Sequence, residues 1–304
     1  MDERRIVQVD AFTDEPLTGN PAGVVPNASG LDADQRQAIA REMAVSETAF
    51  LTEATDEEAA WQLRYYTPTQ EVDLCGHATV GTFGYLLEAG EIAPDTGPER
   101  LRTNIGVLEI TVDEDGTVWM TQEPPTIEPI EQEYAAVADA LGVDKAALEG
   151  ASADLPLAVA STGLPFLIVP ITYLSDLGAA DPDMTAVAAL TERFDAAGVY
   201  LFTFDTLEPT STAHGRMFAP GAGVPEDPVT GTASGAVAGY LERYGAFDPL
   251  PEELVLEQGH YLDRPGLVRV RLENGIPHVG GTTVTALEGR IRVPESDGDD
   301  ILEA

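Results

Sequence analysis

A carboxylate, a thiol and an imidazole gather around a glycine-led segment that the chain writes twice. Cys75-Gly76-His77-Ala78-Thr79-Val80-Gly81 returns as Thr230-Gly231-Thr232-Ala233-Ser234-Gly235-Ala236. Each copy opens a stretch rich in Gly, Ala and Thr with larger apolar residues at helical spacing, closed by Gly90 or Gly245. Helices over 77–89 and 232–244 are therefore predicted, each ending at a residue suited to the left-handed position after a helix. Their low charge fits central helices, each wrapped by a sheet. The start of a helix presents unpaired N–H groups and a partial positive charge, a natural anion site. Gly76 and Gly231 let the backbone approach a ligand closely. Each copy could thus receive a substrate carboxylate or a developing enolate-like charge. Two ordinary capped helices are the plainer reading of either copy alone.

Differences between the copies point to the reacting group. Aligning Phe50-Leu51-Thr52 with Leu201-Phe202-Thr203 sets Glu47 opposite Gly198. Glu47 lies in Val-Ser-Glu-Thr-Ala-Phe-Leu, an otherwise uncharged segment that reads as a strand over 45–52. Apolar surroundings disfavour a charged carboxylate and suit a group that must take up and release a proton; an edge-strand Glu facing water is the alternative. His77 could orient a substrate, hold a proton or cap its own helix. Of the acids before the two motifs, Glu71, Asp73, Glu226 and Asp227, one is expected to be structural. Asp227 is the better site candidate, because Pro228 fixes the turn and Thr232 follows soon after; its alternative is an N-terminal cap. Cys75 is the rival base, since a thiol at a helix N-terminus ionises more readily. Its counterpart, Thr230, is a very poor base for two-base racemisation, and a lone buried cysteine is also an ordinary core residue.

The repetition extends beyond the motif. Arg64-Tyr65-Tyr66-Thr67-Pro68 is echoed by Arg216-Met217-Phe218-Ala219-Pro220, and Gly19-Asn20-Pro21 through Pro26 by Gly163-Leu164-Pro165 through Pro170. The offset is roughly 145–155 residues throughout, the signature of two structurally alike domains. A site between them is expected, as ligand sites favour domain interfaces. Strands are predicted at 5–12, 23–25, 61–66, 157–160, 166–169, 198–204 and 267–272, and a helix from Asp32 or Asp34 to Ala44. A hairpin is predicted from 108–112 and 118–121 around Asp115-Gly116, and an added helix near 131–141. The linker-like Glu123-Pro124-Pro125-Thr126-Ile127-Glu128-Pro129 places the boundary near 127. The organisation expected is an N-terminal lobe over 1–127, a C-terminal lobe over 128–293 and a frayed acidic tail over 294–304.

With 304 residues and 43% apolar content, the chain can bury two cores despite a formal net charge of −37. Lys145 is the single lysine. So acidic and lysine-poor a surface reads as an adaptation to concentrated salt, where self-repulsion is screened, with an acidic interaction surface as the alternative. Nucleic acid and anionic membranes are excluded as expected partners, since their phosphates would be repelled. No signal peptide or apolar spanning run is evident, and no His and Cys spacing suggests zinc, so a cytoplasmic, metal-free protein is expected.

Gly19-Asn20-Pro21-Ala22-Gly23, Ser46-Glu47-Thr48-Ala49-Phe50, Asp73-Leu74-Cys75-Gly76-His77-Ala78-Thr79 and Glu226-Asp227-Pro228-Val229-Thr230-Gly231 together resemble the phenazine-biosynthesis isomerase family (PhzF-like). Gln258-Gly259, Arg264-Pro265-Gly266 and Val279-Gly280-Gly281 extend the resemblance over nearly the whole chain. It implies an α+β fold like that of diaminopimelate epimerase: two pseudo-symmetric domains, each a mixed sheet curled around a central helix. It further implies a homodimer, no cofactor, and a reaction like that of trans-2,3-dihydro-3-hydroxyanthranilate isomerase, in which a glutamate moves a proton between carbons of a small carboxylate. By motif match that residue is Glu47. His77, Asp227 and Thr232, the last often Ser in the family, complete the polar set, with Gly76 and Gly231 supplying backbone donors and Asn20 a further candidate contact. Cysteine-based epimerases of this fold carry a second Cys where Thr230 stands. A Cys75-dependent epimerase or racemase and a non-catalytic small-acid binding protein are the alternatives.

Overall fold

The alternation read in residues 5–12 becomes the strand Asp2–Ala11 in a computed structural model that describes residues 2–55, 57–130, 133–151 and 155–295. Its antiparallel partner is Thr283–Val293, in register from Asp2↔Val293 to Ala11↔Thr283 with one irregularity after Gln8. That pairing returns the end of the chain to its beginning. Unit 1 accordingly comprises Met1–Leu17, Pro21–Val118 and Thr283–Ala304, and unit 2 comprises Thr18–Asn20 and Trp119–Thr282. This corrects the expected division at 127 and the expected C-terminal lobe running to 293. The proline-rich segment taken for a linker instead contains the strand Thr126–Pro129, paired antiparallel with Ala158–Ser161 inside unit 2. The acidic tail lies, from residue 296 on, outside the described residues.

The two units repeat one order of pairings. In unit 1, Gly23–Val25 runs parallel to Thr48–Phe50. Thr48–Glu53 pairs antiparallel with Trp61–Tyr66, whose start runs parallel to Glu99–Thr103, and Gly106–Val112 closes antiparallel on Glu99–Thr103. In unit 2, Pro165–Pro170 runs parallel to Gly198–Thr203, which pairs antiparallel with Ala213–Ala219. Ala213–Ala219 runs parallel to Leu254–Gln258, which pairs antiparallel with Gly266–Glu273. Parallel neighbours need a long crossover, usually a helix, and the repeated motif supplies it: Gly76–Glu88 in unit 1 and Gly231–Arg243 in unit 2. The α+β class and the mixed sheet around a helix are thus present in each unit. The strand expected from Val45 starts only at Thr48, because the helix Ala33–Met43 ends with Ala44 in the left-handed region and the ladder begins at Gly23↔Thr48. Gly106–Val112 pairs antiparallel with Glu99–Thr103, and the turn expected at Asp115-Gly116 follows it, closed by the Asp113 N–H on the Thr117 carbonyl at 3.0 Å and leading into Val118–Thr121.

Both crossover helices are short of bulk for a reason. Ala78 to Leu86 are all buried, and the helix packs against Asp2–Ala11 and Thr283–Val293. A Cβ on Gly84 would overlap the Thr283 side chain. In unit 2 a Cβ on Gly235 would overlap Gln122, and one on Gly239 would overlap Pro125. Forcing extra methylenes into such contacts costs about 1–3 kcal/mol, so the glycines set how closely each sheet wraps its helix. Gly90 and Gly245 take the expected positive φ, 72° and 63°, just past the helix ends. Unit 2 adds Tyr134–Leu141 and Met184–Arg193, whose Val137, Leu141, Val187 and Leu190 form a second core layer on Leu167, Val199 and Leu201. Among the described residues no helix is long and apolar enough to cross a membrane.

Candidate active site

In unit 1 the residues singled out by type do meet. Glu47 lies between the bend at 45–46 and the strand Thr48–Glu53, where its carbonyl accepts the Gly23 N–H at 2.9 Å. That bond anchors the backbone to the neighbouring strand and leaves the side chain free to point at the opening of the Gly76 helix. Its carboxylate Oε2 lies 3.4 Å from His77 Nε2, with the two side chains 21% and 12% exposed. Glu47 is therefore a largely enclosed carboxylate rather than a surface acid. His77 Nε2 also sits 3.3 Å from Ser46 Oγ, and His77 Nδ1 sits 3.4 Å from Cys75 Sγ. The cap reading of His77 is not what the fold uses: Cys75 is the N-cap residue, and its side chain makes no cap bond. The N-cap side chain thus leaves the first-turn amides open, as an anion site requires. Ser46 joins the site through His77, and its place beside Glu47 in the motif is the one sequence signal for it.

Unit 2 gathers a second polar set. Asn20 Nδ2 donates to Asp227 Oδ1 at 3.0 Å and to the Val229 carbonyl at 2.8 Å. The Thr230 hydroxyl donates to Asp227 Oδ2 at 2.5 Å. Gln258 completes the ring, donating to the Asp227 carbonyl at 2.8 Å and accepting the Thr230 N–H at 3.0 Å. Asn20 is 1% exposed, and its Oδ1 has no hydrogen-bond partner. Asp227 thus braces the loop into the Gly231 helix without capping it; the N-cap is Thr230, again with no side-chain cap bond. Gly231 opens the helix and is buried, and Thr232 beside it is partly buried. Gln258 was read only as part of a motif. A lone Gln in a strand carries no sequence signal for such bracing.

The matching Arg residues explain two of the four acids. Arg64 pairs with both carboxylate oxygens of Glu71, one at 2.6 Å, and holds that carboxyl below its usual range. Arg216 pairs with Glu226 at 2.9 Å to each oxygen and also donates to the carbonyls of Leu177 and Ala180. Such two-pronged pairs fix geometry as well as contribute energy. Glu71 and Glu226 are the structural acids, so one was expected and the fold uses one per unit. Asp73 is exposed and accepts from Asn104 Nδ2 at 3.5 Å.

These pairs also fix the register between copies. Phe50 faces Arg64 across the ladder as Leu201 faces Arg216, so Glu47 corresponds to Gly198. A Cβ at Gly198 would stand 2.8 Å from the Phe218 carbonyl oxygen and 2.9 Å from Met217 Sδ. The second copy has no space for a carboxylate there. The asymmetry is built into the packing.

The PhzC-PhzF family, described as phenazine biosynthesis-like protein, matches residues 9–289. The chain belongs to this family. An uncharacterized isomerase, YfhB of Bacillus subtilis (strain 168), is 36% identical over 299 residues, covering 96% of this chain and 99% of that relative. The crystal structure of a Bacillus anthracis phenazine biosynthesis protein of the PhzF family is similar with a TM-score of 0.87 and 31% identity, over 96% of this chain and 100% of the other. A hydroxyproline epimerase from Agrobacterium vitis shares the fold alone, with a TM-score of 0.62 and 16% identity over 96% and 91% of the two chains. This chain thus shares its architecture with a hydroxyproline epimerase. Within that architecture this chain has one cysteine and, at the matching place, a threonine bound to Asp227.

Proposed function

We propose that this family member is a cofactor-independent isomerase that moves a proton between carbons of a small cyclic or unsaturated carboxylate. Glu47 takes the proton from one carbon and returns it to another on the same face of the substrate. The observation that carries this reading is the Glu47 carboxylate 3.4 Å from His77 at the opening of an uncapped helix, in a chain whose matching position cannot hold a side chain. His77 orients the carboxylate and the substrate's polar groups. The amides of Gly76 and Gly231 stabilise the delocalised anion, while Asp227 and Thr232, with Asn20 as support, hold amino, hydroxyl or carboxyl groups. The resemblance extends this to a homodimer, and the composition to a cytoplasm of high salt.

The test is solvent-deuterium incorporation into trans-2,3-dihydro-3-hydroxyanthranilate and a panel of small cyclic carboxylates, by wild type and Glu47→Gln, with folding checked for both. The reading expects exchange by wild type and a loss of about 10²–10⁴-fold in the variant, the usual worth of a positioned acid–base group. Undiminished exchange by Glu47→Gln would remove Glu47 from this role. Tight binding with no exchange across the panel would indicate a binding protein instead.

One observation favours a second reading. Cys75 Sγ lies 3.4 Å from His77 Nδ1, the spacing of a thiol beside its base. A one-thiol epimerase with Cys75 opposite Glu47 expects inactivation by an alkylating reagent and by Cys75→Ala. Against it stands Thr230, a poor base whose proton is already donated to Asp227.

A further inference from the structure

The side chains that surround the proton carrier are also a metal-ligand set. One donor atom each from Glu47, Cys75 and His77 lies within 4.8 Å of the other two. His77 Nε2 is 3.4 Å from Glu47 Oε2, 3.8 Å from Cys75 Sγ and 3.3 Å from Ser46 Oγ. Zinc binds imidazole nitrogen and carboxylate oxygen at about 2.0–2.2 Å and thiolate sulfur at about 2.3 Å; at tetrahedral angles these lengths set ligand atoms roughly 3.3–3.6 Å apart. The Glu47 and Cys75 distances from Nε2 are close to the edges of such a tetrahedron, but Cys75 Sγ lies nearer Nδ1, at 3.4 Å, so the His77 ring must turn to aim one nitrogen at a metal held by all three. The fourth corner is left to Ser46 or to water. The cluster escapes sequence spacing rules because Glu47 arrives from just before the strand Thr48–Glu53, while Cys75 and His77 open the helix Gly76–Glu88.

We propose that Glu47, Cys75 and His77 form a site for zinc-class divalent cations, and that metal bound there shuts off proton transfer. The thiolate and imidazole select zinc or cobalt over the hard cations magnesium and calcium. A net charge of −37 concentrates cations of either kind near the surface. On binding, the Cys75 S–H bond breaks, its proton passes to solvent and a sulfur–metal bond forms, with no change in oxidation state. Affinity therefore rises with pH. A carboxylate oxygen of Glu47 donated to metal is no longer a base for carbon acids. The inhibition rests on the role proposed above for Glu47; the binding does not.

The probe is Co²⁺ added to the intact chain, read by absorbance. Because Cys75 is the single cysteine, a thiolate-to-cobalt charge-transfer band reports this site and no other. The expected result is such a band with the intense visible bands of tetrahedral cobalt, displaced by Zn²⁺ but not by excess Mg²⁺. Cys75→Ser abolishes the band, and His77→Ala weakens binding at least about tenfold, roughly 1.4 kcal/mol. His77→Gln replaces it should circular dichroism show the alanine variant unfolded. A spectrum without the band at saturating Co²⁺, or a band unaltered in affinity by loss of His77, overturns the site. Full deuterium exchange by the zinc-loaded chain overturns the inhibition. The cobalt spectrum needs no turnover, so it stands or falls apart from the assignment of Glu47.

Discussion

Glu47→Asp separates the position of the carboxylate from its presence. Removing one methylene withdraws the group by about 1.5 Å, one carbon–carbon bond. The Glu47–His77 contact of 3.4 Å then opens to about 5 Å, beyond hydrogen-bond reach. A reacting group misplaced by about an ångström loses roughly 10² in rate, about 2.7 kcal/mol of transition-state stabilisation. The fold should barely notice. The residue immediately precedes the strand, its backbone contact is the Glu47 carbonyl to Gly23, and its side chain is 21% exposed, so unfolding stability should change by no more than about 0.5 kcal/mol. Steady-state kinetics on the substrate that passes the deuterium screen, with urea unfolding in parallel, measures both. The reasoning predicts kcat down about 10²-fold with KM little changed and the unfolding midpoint held. An aspartate variant within about threefold of wild type, about 0.7 kcal/mol, refutes the idea that this carboxylate reaches a carbon-bound proton.

Three further outcomes test the frame around the site. Asn20→Ala removes a donor to the Asp227 carboxylate and one to the Val229 carbonyl but also relieves a buried, unpartnered Oδ1; the balance is a loss of about 2 kcal/mol, seen as a lowered urea midpoint together with a raised KM. Glu257, buried in unit 2, supplies a pH signature. Burial alone would raise its carboxyl, but the His214 ring and the Leu207 and Glu208 amides outweigh it and bring the group down to about 2. Its contribution, about 3 kcal/mol, is therefore present above the unfolded value near 4.5 and is lost as pH falls through about 2. Acid unfolding of Glu257→Gln should show a shallower slope across that window than wild type, and equal slopes would contradict the assignment. Finally, the acidic surface predicts an unfolding midpoint that rises with salt through the molar range as repulsion is screened; full stability in dilute buffer would contradict that account.

What could be read from the chain followed from repetition. Two copies of a glycine-led helix were enough to place both crossover helices, and the matched strand segments to set Glu47 opposite Gly198; the α+β class came with the family resemblance. The division of the chain was not legible. Nothing local in residues 283–293 announces that they pair with the first strand, and a proline-rich segment such as 123–129 looks like a linker whether or not its middle joins a sheet edge. Long-range pairing decides both. The same holds for the site's supporting atoms. Ser46, Gln258 and the unsatisfied oxygen of Asn20 are ordinary residue types, and only burial and distance give them a role. Glu71 and Glu226 look like site acids in the sequence, and only the pairing with Arg64 and Arg216 makes them structural.

The proposal stands on a single carboxyl group that both removes and restores the migrating hydrogen. Substrate carrying deuterium at the abstracted carbon, turned over once in ordinary water, tests this most directly by mass spectrometry of the product. One group working on one face delivers part of the label to the new carbon before solvent can exchange it, so a measurable fraction of product retains deuterium, and Glu47→Gln forms none. Product wholly free of label while Glu47→Gln still turns over would place the hydrogen on other groups and contradict the account.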